Sequence, residues 1–138
     1  MSRATVIADA SYCHHSGAAG WAAWIRIDGV PTPIKKMGPI SKSMVKTSTD
    51  AEVRAAIFGA QEAINNGACI ILVQSDCQAV CDMNHPAWLD FAKKNQDVIF
   101  DGMHVKGHTN GSDARSWVNN WCDTWAKREM RRKRKMLK

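Results

Sequence analysis

The 138 residues, 45% of them hydrophobic, are enough for one packed domain and too few for two. No apolar run reaches the roughly 18 residues of a membrane span, and residues 1–5 lack the charged-then-apolar layout of a secretory signal, so a soluble, cytoplasmic chain is expected. The formal charge of +6 is concentrated at one end: residues 127–138 carry eight basic side chains against Glu129, which leaves eleven basic and twelve acidic residues elsewhere. A run that dense attracts phosphates at long range and directs attention to nucleic acid.

In chain order, residues 5–10 (TVIADA) form a short apolar run ending in an acid, followed by small residues at 16–20: a strand, then a turn. Residues 21–27 alternate large side chains with small or charged ones and stop at Asp28-Gly29, so a hairpin partner is expected. A third strand follows at 34–37, with Pro31 and Pro33 in the connection, which completes an antiparallel meander. From Asp50 the period changes: Val53, Ala56, Ile57, Ala60, Ala63 and Ile64 share one helical face, closed by Asn65-Asn66-Gly67. Thr49 and Glu52 have the spacing of a capping box, which offers a purely structural alternative for Glu52.

Residues 69–73 (CIILV) are too few for a helix and read as a buried strand ending at Gln74-Ser75-Asp76, which makes a βαβ element. One or two short helices split near Pro86 are expected over 78–94, then a strand over 101–105 and a turn-rich loop over 106–111. Residues 114–130 read as a helix with Trp117, Trp121 and Trp125 in one stripe, expected to pack against the domain in preference to stacking on bases. The catalytic domain is placed at 1–130, with 131–138 as a basic C-terminal tail.

Cys13, Cys69, Cys77, Cys81 and Cys122 are odd in number and without a disulfide framework, so reduced thiols are expected. Cys77, Cys81 and His85 recur every fourth residue, but Pro86 interrupts any shared helix and no second cysteine pair accompanies them, so small buried thiols are preferred to zinc.

The acids carry more chemistry. Asp9 and Asp76 end strands and Glu52 lies in the first turn of a helix, positions that meet at one rim of an α/β sheet. Asp123 is about 200° from Trp121 around its helix, on a face shared with Asn119 and Lys127. Four carboxylates brought together would be driven toward protonation unless cations neutralised them, and hard oxygen donors suit Mg²⁺ or Mn²⁺. Two such ions activate a water and stabilise the leaving oxygen in phosphodiester hydrolysis.

The segments V-I-A-D-A-S, T-S-T-D-A-E-V-R-A-A, V-Q-S-D-C-Q-A-V and V-K-G-H followed by N-N-W-C-D-T-W-A resemble, in order, the type 1 ribonucleases H. The resemblance implies a ribonuclease H-like α/β fold: a mixed five-stranded sheet, three antiparallel strands then parallel ones, flanked by helices. It implies an endonuclease that cuts the RNA strand of RNA/DNA hybrids with two Mg²⁺ ions, Mn²⁺ substituting; a monomer is expected. Asp9 takes the place of the acid that bridges both ions, Glu52 and Asp76 of the leaving-group ligands, and Asp123 of the water-side ligand. His108 matches a mobile histidine that assists proton transfer or product departure. Gln78 matches a minor-groove contact, Thr47 a DNA-phosphate contact, and His15 the position of a phosphate-binding asparagine.

Several positions depart from the pattern. Ala10 replaces a glycine, and Ser48 and Thr49 stand where paired asparagines read the hybrid, although both still hydrogen-bond a phosphate or a 2′-hydroxyl. Residues 76–108 are too few for the basic protruding helix of many bacterial members, a grip that the basic C-terminal tail is expected to supply. The interval from His108 to Asp123 is longer than the pattern. Other readings of the same residues are a junction resolvase, a nuclease for double-stranded RNA, or a binding module without catalysis.

Overall fold

Five strands in the order β3-β2-β1-β4-β5 form the centre of the protein in a computed structural model that describes residues 2–105 and 114–137. Strands β1 (Ser2–Tyr12), β2 (Ala19–Ile27) and β3 (Ile34–Ile40) pair antiparallel, and β4 (Ala68–Ser75) and β5 (Ile99–His104) add in parallel beside β1. This is the mixed sheet expected from the sequence. Strands β1, β3 and β4 extend beyond the expected runs as the ladders continue into flanking residues, β2 begins two residues earlier than expected, and β5 is shifted to 99–104 from the expected 101–105. Pro39 lies inside β3, which an edge strand tolerates because the missing N–H can face away from the ladder.

Helix α1 (Ser48–Asn65), α2 (Gln78–Asp82) and α3 (Pro86–Lys93) cover one face. Even-numbered residues of β1, Val6 and Ala8, join Val53, Ala56 and Ala60 of α1 and Val73 of β4 in the main core. Pro86 opens α3 at its first turn, where its missing N–H costs nothing, and Trp88 stacks edge-on with Phe100 of β5 at 5.2 Å to anchor the helix.

Among the described residues, helix α4 (Ala114–Met136) alone covers the other face. Val118, Cys122, Ala126 and Glu129 form its buried stripe, and Cys122 Sγ donates to the Ile7 carbonyl at 3.5 Å. The tryptophans flank that stripe: Trp121 and Trp125 pack beside Trp24 and Met37, while Trp117 is 57% exposed with its ring 5.4 Å from Trp24. The helix approaches β2 so closely that a side chain on Gly20 would meet the backbone of Met130 and Ala126. The expected boundary at residue 130 falls inside α4, which carries the basic run through Met136 without a break. Lysine and arginine are good helix formers, and their charge is favourable at a helix carboxyl end.

Candidate metal centre

Strand β1 carries Asp9 to the rim of the sheet, opposite Ala22 of β2. The next residue then ties two acids together: the Ala10 N–H donates to Asp9 Oδ1 at 2.9 Å and to Glu52 Oε1 at 3.0 Å. Glu52 therefore does not act as a cap. The helix is capped two residues earlier than its pattern indicates, by extended Thr47, whose Oγ1 accepts from the Asp50 N–H at 3.1 Å. That shift leaves the Glu52 side chain directed at β1. Asp76 follows the last residue of β4, where the Ser75 carbonyl accepts from Val105 N–H and the Ser75 hydroxyl accepts from Cys77 N–H. The strand end is thus held from both sides.

Asp9, Glu52 and Asp76 each offer an oxygen within 4.8 Å of the others. Asp123 reaches the same place from α4, lining a narrow recess with Ala8, Asp9, Asp76, Asn119 and Asn120. It stays outside the group of three, with Oδ2 held at 3.0 Å by Lys127 Nζ one turn along the helix.

Burial pushes Asp9 up from 3.8 to about 7, against its hydrogen bond with Glu52 and with help from the charges of Asp76 and Asp123. Burial, and then the charge of Asp9, pushes Glu52 up from 4.5 to about 10. Its second oxygen, Oε2, is buried without a hydrogen-bond partner among the described residues. Crowded carboxylates, a proton held between two of them and a buried acceptor left empty make a site that a hard divalent cation satisfies. The donor set fits Mg²⁺ or Mn²⁺: oxygens only, from three chain segments.

Of the other residues singled out from the sequence, Thr47 and Ser48 are exposed at the amino end of α1, Thr49 is partly covered, and His15 is exposed on the β1–β2 turn. Gln78 opens α2 and donates to Asp82 Oδ1 at 2.8 Å. His108 lies outside the described residues. Cys77, Cys81 and His85 do not converge, because left-handed Met83 ends α2 before Pro86 starts α3. His85 instead caps α3 and holds Asp50 Oδ1 at 2.9 Å. Two residues escaped the sequence reading. Asn120 lies three positions before Asp123 and so shares its helical face, a signal the spacing does carry. His104 Nε2 is 3.1 Å from the Asp76 carbonyl, a contact between separate strand ends that no local pattern announces.

No protein-family model and no curated protein matches the chain. Solved structures do. The N-terminal RNase H domain of a Mycobacterium tuberculosis protein, determined as a fusion with maltose-binding protein, is matched over 100% of both chains with TM-score 0.73 and 20% identity. RNase H1 from the halophilic archaeon Halobacterium salinarum is matched over 94% of this chain and 98% of its own, with TM-score 0.71 and 17% identity. LC11-RNase H1, solved in complex with an RNA/DNA hybrid, is matched over 94% and 97%, with TM-score 0.63 and 14% identity. The chain has the ribonuclease H-like fold, and its three converging acids stand at the rim of that sheet.

Proposed function

We propose that this protein is a metal-dependent endonuclease that hydrolyses the RNA strand of RNA/DNA hybrids. The observation that carries the reading is the convergence of Asp9, Glu52 and Asp76 to within 4.8 Å, with Glu52 Oε2 buried and unpartnered, on the fold of RNase H domains. A structure of that fold, LC11-RNase H1, holds an RNA/DNA hybrid. A protein that only bound nucleic acid would gain nothing from gathering acids beside phosphates.

Asp9, Glu52, Asp76 and Asp123 are assigned the divalent ions, two per site. When bound, such ions neutralise the acids, activate a water and stabilise the leaving oxygen. The chain's own part is positioning: Ala10 N–H orients Asp9 and Glu52, and Lys127 orients Asp123. His108 is assigned proton transfer at the leaving group or water. Thr47, Ser48, Thr49, His15 and Gln78 are assigned the substrate. The Thr47 oxygen accepts from its own helix, which leaves its hydroxyl proton to donate to a phosphate. Five free cysteines suit the reducing cytoplasm, and the protein acts as a monomer.

The test is cleavage of an end-labelled RNA/DNA hybrid in Mg²⁺ and Mn²⁺, beside duplex RNA, duplex DNA and a four-way junction. Hybrid-selective cutting of the RNA is expected. Asp76→Asn and Asp123→Asn should each lower it by on the order of a hundredfold, as removal of one charge-stabilising group does. Preferential cutting of another substrate would replace the hybrid assignment, and a hybrid bound but never cut would make this a binding module.

A further inference from the structure

The β1–β2 turn, the 3-10 turn at Lys42–Met44 and the carboxyl-terminal end of α4 enclose a second recess, apart from the acids. Its lining is Cys13, His15, Ser16, Lys42, Arg134 and Leu137. Three distant parts of the chain build it. The turn is closed by Cys13 N–H donating to the Ala18 carbonyl and Gly17 N–H to the Cys13 carbonyl, both at 2.8 Å. Gly17 has φ +76°, and a Cβ there would stand 2.8 Å from Lys42 Cε. The missing side chain thus lets the lysine stem lie across the turn, while α4 delivers Arg134 to the same recess.

Three other cations of α4 are already engaged: Lys127 with Asp123, Arg132 with Glu129, and Arg128 over the Trp125 ring at 4.3 Å. Among the described residues, neither Lys42 nor Arg134 has a carboxylate within ion-pair distance, and no acid lines the recess. Two cations without a counter-ion in one concavity make a place for an anion. The Cys13 thiol senses this surrounding: hydrogen bonding from Ser16 first, with Arg134 among the further donors, lowers it from 9.0 to about 6.

Charge and proximity to the acids point to a backbone phosphate as the anion. Cys13 is four residues beyond Asp9, about 13 Å at roughly 3.3 Å per residue. Each strand of a duplex carries a charge every ~3.4 Å along the axis, so a duplex that reaches the acids extends well past this span. A duplex with one phosphate at the acids therefore has other backbone phosphates close enough to meet the recess.

We propose that this recess is a second anchor for the nucleic-acid duplex, in which Lys42 and Arg134 grip a backbone phosphate away from the one that reacts. The proposal rests on the nuclease reading above and adds a location for the grip. Contacts to phosphate fix register and orientation and carry no sequence information, so the anchor sets where the duplex lies.

The experiment measures hybrid binding against salt concentration in an Asp76→Asn background, which prevents cutting. Lys42→Ala/Arg134→Ala is compared with Arg131→Ala/Lys135→Ala, which removes the same charge from α4 outside the recess. The recess pair should lose roughly tenfold in affinity and lower the salt slope by about 1, and the control pair should lose less. Saturating hybrid should also protect Cys13, and not Cys69, from alkylation by iodoacetamide. Equal losses in the two pairs, unchanged alkylation of Cys13, or equal protection by inorganic phosphate alone would overturn the proposal. If the Asp76→Asn parent binds hybrid while the recess pair binds it equally well, only the anchor fails. If the parent binds no nucleic acid at all, the nuclease reading fails with it.

Discussion

Raising the pH of the metal-free protein is expected to weaken it through the acid cluster, and divalent metal should reverse the effect. In the folded state Asp9 holds its proton to about 7 and Glu52 to about 10, whereas both lose it near the ordinary carboxylate values of 3.8 and 4.5 once unfolded. Between those limits the folded state binds more protons, so stability is fully present below about pH 4 and falls as pH rises. Counting a single proton for the hydrogen-bonded pair, the loss is ~1.4 kcal/mol per pH unit, or about 4 kcal/mol from pH 4 to pH 7. For a domain of this size that is roughly 10–15 °C in Tm. Other acids titrate with the opposite sign, among them Asp50, whose carboxyl the His85 ring holds below the usual range. The informative quantity is therefore the difference in Tm between wild type and Glu52→Gln, followed by circular dichroism from about pH 4 to pH 8 with and without Mn²⁺. The variant should gain on wild type as pH rises and melt above it at pH 8. A fixed Mn²⁺ concentration, about 100 times the Kd at pH 8, should stabilise wild type by ~2.7 kcal/mol there and by less at pH 5, since metal must displace the bound proton, and the variant by less. A wild-type to variant difference independent of pH, or a metal shift equal at both pH values, would refute the reasoning.

Two further outcomes test how the fold holds the site. Gly20→Ala forces a methyl group into the backbone of α4 at Met130 and Ala126 and should cost about 1–3 kcal/mol, read as a lower urea midpoint. His85→Ala removes both the cap of α3 and the clasp on Asp50, and should cost about 1–2 kcal/mol near neutral pH. Because Asp50 is held below its ordinary value, the clasp's share is present above the usual carboxylate range and should fade as pH falls through it, so urea midpoints of variant and wild type should draw together in acid.

Much of this protein was legible in local pattern. Alternation at 21–27 and the helical period from Val53 to Ile64 are printed in side-chain order, because burial on one face needs a period of 2 or 3.6 wherever the partner lies. The acids Asp9 and Asp76 were marked in the same way, each at the end of an apolar run. Glu52 was not decided by the sequence, since its spacing from Thr49 equally describes a cap; only the docking of α1 on β1, with Ala10 N–H reaching Glu52, separates the roles. Nor did local pattern limit α4, whose basic end stays helical and passes over Gly20. The convergence of three carboxylates, and the meeting of Cys13, Lys42 and Arg134 in one recess, belong to tertiary structure alone. Propensity and periodicity act over a few residues, but a site is a set of distances between residues far apart in the chain, and those distances exist only once the sheet has ordered its strands and the helices have docked on it.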